Sequence, residues 1–175
     1  MGRFVAFLRG VNVGGNKKVP MAELRDLLAA LGCTDIKTLL NSGNAVFSAE
    51  GKAEQHARAI QAGILSSLGF DVPVIVKTKA EMDAIAQENT LAESADNHSR
   101  LFVTVTPNPS ALAELAPLSQ LVEAPEQIVL GKHALFLWCP NGVLESRAGD
   151  ALMGKAGRAG TTRNWATMLK ILAVL

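Results

Sequence analysis

Residues 4 to 77 switch between two hydrophobic periods, and the order of those switches limits this chain more than any other feature. Phe4-Val5-Ala6-Phe7-Leu8 is an unbroken apolar run of strand length, which fits a strand buried on both faces. Met21, Leu24, Leu27, Leu28 and Leu31 then recur at three- and four-residue steps, so they share one helix face. Pro20 suits the start of that helix and Gly32 its stop. Ile36 to Leu40 and Ala45 to Ser48 read as strands, and Asn41-Ser42-Gly43-Asn44 between them has the residue types of a tight hairpin turn. A second helix is expected from about Lys52 to Leu68, with Ala53, Ala57, Ile60, Ile64, Leu65 and Leu68 inward and Gly69 as its end. Val72 to Lys77 completes the series, and Pro73 near its start points to an edge strand or to a first strand residue. The order is β-α-β-β-α-β, the split plan of ferredoxin-like domains, with both helices on one face of an antiparallel sheet.

The remainder is again mixed. Ala80 to Gln87 suggests a short helix, and the polar stretch Glu88 to Ser99 a connector. Leu101 to Val105 is a strand broken by Pro107-Asn108-Pro109, and Ser110 to Leu118 a helix with Leu112 and Leu115 inward. Gln127 to Leu130 and Ala134 to Trp138 are strands joined through Gly131-Lys132-His133. Helical pieces around Val143 to Met153 and from about Asn164 to Val174 end the chain, the last with a stripe of Trp165, Met168, Leu169 and Leu172 and an N-cap at Thr161 or Thr162. The expected class is α+β, two ferredoxin-like halves with antiparallel or mixed sheets. Residues 1–78 form one unit and residues 79–175 a second, with the similar element order raising a structural repeat packed on the first.

With 175 residues, 49% hydrophobic and 19% charged, the chain can bury one full core or two small halves. A net charge of +1 leaves nucleic-acid binding to a local basic patch, if to anything. Cys33 and Cys139 stand far apart with no signal peptide ahead of the first strand, so buried thiols and a cytoplasmic address are expected. No apolar run approaches the roughly 20 residues that span a bilayer, so no membrane partner is expected.

The first strand leads into Arg9-Gly10-Val11-Asn12-Val13-Gly14-Gly15-Asn16-Lys17-Lys18-Val19-Pro20. Glycines let a backbone approach a ligand, and the first amides of a helix have no partner inside it. With two adjacent lysines, that is the chemistry of an anion-binding turn. It is not a Walker loop, because Asn16 stands where the lysine belongs, and it is not the dinucleotide G-x-G-x-x-G. If the hairpin turn lies at the same sheet edge, Asn41, Ser42 and Asn44 join Arg9, Asn12, Gly14, Gly15, Asn16, Lys17 and Lys18 around one ligand. Turn chemistry alone also explains these Asn and Gly residues. Gly154 to Trp165 carries three cations and no acid, so it is either a lid bringing Lys155, Arg158, Arg163 and Asn164 to the ligand or a solvated connector.

Phe7-Leu8-Arg9-Gly10-Val11-Asn12-Val13-Gly14-Gly15-Asn16, Val19-Pro20-Met21 and Leu40-Asn41-Ser42-Gly43-Asn44-Ala45-Val46-Phe47 resemble the signatures of a bacterial family, domain of unknown function 1697. Thr162-Arg163-Asn164-Trp165 resembles its C-terminal signature. The resemblance implies a two-part α+β fold of ferredoxin-like units and lends no activity and no catalytic residues.

The residues form no catalytic constellation. His56, expected to face solvent, His98 and His133 lack metal-ligand spacing, and Ser42 lacks the nucleophile-elbow pattern. No metal and no cofactor are expected. The leading expectation is a protein binding an anionic small molecule, a nucleotide or phosphorylated metabolite, at the glycine turn. The alternatives are RNA or single-stranded nucleic acid on an open sheet face, using Phe4, Phe7 or Phe47, or a structural module with no small ligand.

Overall fold

The computed structural model describes all 175 residues. The chain divides into two compact units, Met1–Met82 with Ile171–Leu175, and Asp83–Lys170. In the first, β1 (Gly2–Leu8), α1 (Met21–Ala30), β2 (Thr34–Leu39), β3 (Asn44–Ala49), α2 (Ala53–Leu68) and β4 (Val74–Thr78) follow in order. The sheet order is β2-β3-β1-β4 and every pairing is antiparallel. This is the ferredoxin-like arrangement expected from the alternation of periods.

Side chains alternate across the sheet, and both sets on β1 are buried. Phe4, Ala6 and Leu8 share one core with Ala45, Phe47, Val74 and Val76 and with Leu24, Leu28, Ile60 and Ile64 of the two helices. Val5, Phe7 and Val46 belong to the other set and are just as inaccessible. The unbroken apolar run of β1 is thereby explained. Pro73 immediately precedes β4, which is an edge strand, so its missing N–H leaves no gap in the ladder. Two expectations for α2 are corrected. Leu65 is exposed, and His56 is half-buried, packing edge-on against Phe4 and Phe47 at ring-centroid distances of 4.8 and 5.5 Å.

α3 (Lys79–Glu88) follows β4 without a loop. The second unit then contains β5 (Leu101–Val105), α4 (Pro109–Ala113), β6 (Gln127–Leu130), β7 (Ala134–Trp138), α5 (Arg147–Met153), β8 (Thr161–Asn164) and α6 (Trp165–Leu172). Its sheet order, β6-β7-β5-β8, reproduces that of the first unit strand for strand. The registers also correspond. Val5 lies between Val46 and Lys77, and Val103 between Phe136 and Arg163. In both units the fourth strand runs straight into a helix capped by its last residue. Thr78 Oγ1 accepts from the Glu81 amide at 3.2 Å, and Asn164 Oδ1 accepts from the Thr167 amide at 2.8 Å.

β8 was not expected from sequence, and its presence corrects two assignments. Thr161 and Thr162 are strand residues, and Asn164 is the cap. The buried stripe of α6 is Trp165, Met168 and Ile171, while Leu169 is exposed. Two expected helices are also broken. Pro117 has no N–H to continue α4, and Ala116–Leu121 forms a 3-10 turn. Val143–Glu145 is a separate 3-10 turn, after which Ser146 Oγ accepts from the Gly149 amide to start α5. Cys33 and Cys139 are buried free thiols whose burial pushes both above the ordinary value; for Cys139 the Ser146 hydrogen bond opposes that rise and Glu126 adds to it.

Gly43 shows where the fold requires the smallest residue. Its φ is +87°, and a Cβ there would lie 2.7 Å from Leu8 Cβ and 2.8 Å from Val11 Cγ2. Gly32 has a φ of +84° with nothing within 4 Å. Gly43→Ala is therefore expected to destabilise by about 3 kcal/mol, backbone strain plus overpacking, and Gly32→Ala by about 1 kcal/mol, strain alone. Urea unfolding of the two variants measures the difference, and equal losses would remove the close approach as its cause.

Candidate functional site

The glycine turn folds as a small hairpin of its own. Gly14 and Gly15 have φ of +60° and +77°, the left-handed pair a two-residue hairpin tip requires. Val13 and Asn16 form a bridge, with the Asn16 amide donating to Val13 O at 3.2 Å, and the Asn12 amide donates to Lys17 O at 3.2 Å. Two amides of the turn are thus engaged by the chain itself. Asn12 is held further. Its Nδ2 donates to Val19 O at 3.0 Å and to Asn41 O at 2.6 Å, and its Oδ1 accepts from the Val19 amide at 2.9 Å. Asn12 is the clamp that joins the two motifs.

The hairpin turn between β2 and β3 does lie at this edge, because β1 and β3 are antiparallel and Phe7 stands opposite Asn44. The Leu8 amide donates to Gly43 O at 2.8 Å, and Arg9 N donates to Pro73 O at 3.0 Å. Asn44 is fully buried, its Nδ2 donating to Leu39 O and to Ser42 Oγ, both at 2.9 Å. Lys17 turns away from the hairpin tip and its ammonium donates to Asp71 O at 2.8 Å. Burial lowers the pKa of Arg9. Of the residues singled out in sequence, Asn12, Lys17, Ser42 and Asn44 thus hold the edge together.

Gly14, Gly15, Asn16, Lys18 and Asn41 remain exposed at the same edge. Asn12, Gly15, Lys18, Val19, Pro20 and Asn41 line an open cleft of about 390 Å³. The Lys18 ammonium and the Asn41 side-chain amide have no partner in the chain. α1 opens onto this edge with Pro20 as its cap, and no side chain accepts from its first amides, although Glu23 sits in the first turn.

Arg163 and Asn164 belong to the second unit. Arg163 lies on β8 opposite Val103, its Nη1 donating to Thr161 Oγ1 at 2.9 Å and to Thr162 O at 3.0 Å, and burial lowers its pKa to about 10. In the stretch expected as a lid or a solvated connector, Lys155 and Arg158 are exposed and Arg163 is taken up by β8. A Cβ at Gly157 would fall 1.7 Å from Leu152 O and one at Gly160 2.7 Å from Val105 O. Those glycines serve close backbone packing.

The second unit holds a constellation that sequence did not reveal. Glu88, at the end of α3, accepts from the amides of Lys132 and His133 at 3.0 and 3.1 Å, and its Oε1 lies 2.6 Å from His133 Nδ1. Forty-four residues separate Glu88 from Lys132, so no local pattern could pair them. Asn89, next in the chain, is 7% exposed with neither side-chain atom hydrogen-bonded. No three His, Cys, Asp or Glu side chains gather as a metal set. No helix is long and apolar enough to cross a membrane. Phe4, Phe7 and Phe47 are all buried, so none is a stacking platform for a base.

A family model described as protein of unknown function (DUF1697) matches residues 1–136. The chain belongs to that family. The match takes in both turns of the glycine edge and ends before Thr162-Arg163-Asn164-Trp165, so the C-terminal resemblance has no support from it. A solved structure, described as that of a conserved bacterial protein from Streptococcus pneumoniae, is similar with a TM-score of 0.82 and 24% identity over 99% of this chain and 98% of that one. At that identity the likeness speaks for the fold alone. No curated protein matches.

Burial pushes the Glu88 carboxyl up, but the His133 ring, the turn amides and the His133 charge outweigh it and hold the group below its ordinary value of 4.5. A carboxyl lowered in the folded state stabilises the fold above its unfolded value and loses that effect as pH falls through the folded one. Glu88→Gln is expected to destabilise by about 1 kcal/mol at neutral pH, with the difference closing below about pH 4. Thermal unfolding of both proteins from pH 7 to pH 3 checks the sign, and a difference that widens in acid would refute it.

Proposed function

We propose that the protein binds an anionic small molecule, a nucleotide or phosphorylated metabolite, in the cleft at the glycine edge. The observation that carries this reading is the convergence of donors without internal partners on one open hollow. Lys18 and Asn41 contribute side chains, and Val19 and Pro20 an apolar wall. The exposed Gly14-Gly15 tip lets a ligand approach main-chain amides, and the uncapped first turn of α1 adds its positive end. The half-buried Asn12 and the buried Asn44 fix these donors in place before any ligand arrives, which reduces the ordering that binding requires. Lys18 is the charge of the site, and Lys17, bonded to Asp71 O, stabilises the hairpin.

Thermal-shift titrations with inorganic phosphate, ADP and a sugar phosphate test the reading. A ligand at about 100 times its Kd should stabilise the fold by about 2.7 kcal/mol. Lys18→Ala should weaken binding about tenfold, the loss of one charge-assisted hydrogen bond, while Lys17→Ala leaves affinity within about twofold and lowers stability. Absence of stabilisation by any of the three anions, or equal binding by Lys18→Ala, would overturn it.

A further inference from the structure

The end of α3 and the β6–β7 turn build a second cleft of about 580 Å³, lined by Ala84, Gln87, Glu88, Leu130, Gly131, Lys132 and His133. Its chemistry follows from the Glu88–His133 pair. An ionised carboxylate can only accept, so the ring nitrogen 2.6 Å from Glu88 Oε1 carries a proton. In the neutral form of the ring, Nε2 is then a bare lone pair. His133 is 42% exposed, and Nε2 has no partner in the chain. The Lys132 ammonium, one residue earlier, is likewise unpartnered. Two turn amides already satisfy Glu88 as a turn cap, and its third bond does something different: it sets the direction of the imidazole. The carboxylate packs so closely on the turn that a Cβ at Gly131 would lie 2.4 Å from Glu88 Oε2.

A lone imidazole with a neighbouring amide is too few ligands for a metal, and no third metal-binding side chain is present. The turn amides that could otherwise stabilise an oxyanion are occupied by Glu88. Recognition is what the cleft offers. A hydrogen-bond acceptor of fixed direction, a cation beside it and the Gln87 amide suit a molecule bearing both a hydroxyl and a negative charge.

We propose that this cleft is a binding site for a small hydroxylated anion, with His133 Nε2 accepting from the ligand hydroxyl and Lys132 pairing with its phosphate or carboxylate. The site is independent of the glycine edge. Imidazole nitrogen NMR of the full chain tests it directly, because His133 reports binding here and nothing at the other edge. Glucose 6-phosphate and malate represent the phosphate and carboxylate forms, with glucose, inorganic phosphate and succinate as halves lacking one feature. The expected result is a saturable change at His133 Nε2 with at least one hydroxylated anion, about tenfold weaker with its separate halves and with Lys132→Met. Glu88→Gln, which loosens the ring while retaining an acceptor for the turn, should weaken binding about fivefold in a protein that remains folded by circular dichroism. No saturable change up to about 10 mM for either ligand, or an equal response to the halves, would overturn the proposal.

Discussion

One side chain, Asn12, holds the glycine edge of the first unit in shape. Its amide reaches two backbone groups of Val19 and the carbonyl of Asn41, so the loop after β1 and the turn before β3 become one structure. Without that clamp the Gly14-Gly15 hairpin would lose its tie to the β2–β3 turn, and a two-stranded turn alone is marginal in water. With it, the exposed donors of the edge surround a cleft of fixed outline. The backbone there is unusual: Asn12, Lys17 and Leu40 have positive φ alongside Gly10, Gly14, Gly15 and Gly43. Leu40 gains nothing obvious from its left-handed conformation, and it is exposed. Such strain persists where surrounding contacts over-determine the chain, and it accumulates at sites shaped for a ligand.

The same topology used twice gives the two halves different resources. In each unit the fourth strand carries a cation at one register position, the buried Lys77 beside Val5 and the half-buried Arg163 beside Val103. Lys77 has Glu81 at 3.3 Å, one turn into α3. The first unit concentrates its glycines and amides at the end of β1. The second places a carboxylate from a helix on a hairpin turn, and orients an imidazole with it. Two clefts of different chemistry thus arise from one plan.

Most of the first unit was legible from sequence because hydrophobic period and turn chemistry agree along it. Phe4 to Leu8 named a doubly buried strand, and the Gly43 turn fell where the residue types placed it. The second unit was less so. Thr161–Asn164 is a four-residue strand containing Arg163 and Asn164, too short and too polar for a period to register, and the helical pattern after it absorbed its threonines as caps. Glycines near it suggested mobility, whereas Gly157 and Gly160 accommodate carbonyls at distances only a glycine permits. At the candidate site the sequence named the right neighbourhood and could not divide labour within it. Whether Lys17 or Lys18 faces the cleft depends on a +46° φ at Lys17 and the nearness of Asp71 O, neither of which is a property of residue type. The Glu88–His133 pair was invisible for the same reason, since only the folded chain brings them together.

Hydrogen exchange tests the clamp most directly. The Val19 amide bonds to the Asn12 side chain, and the Leu8 amide to Gly43 O in the other turn. If Asn12 unites the two turns, replacing it with alanine accelerates exchange at both Val19 and Leu8 together. Faster exchange at Val19 with Leu8 unchanged would show two independent loops and contradict the account.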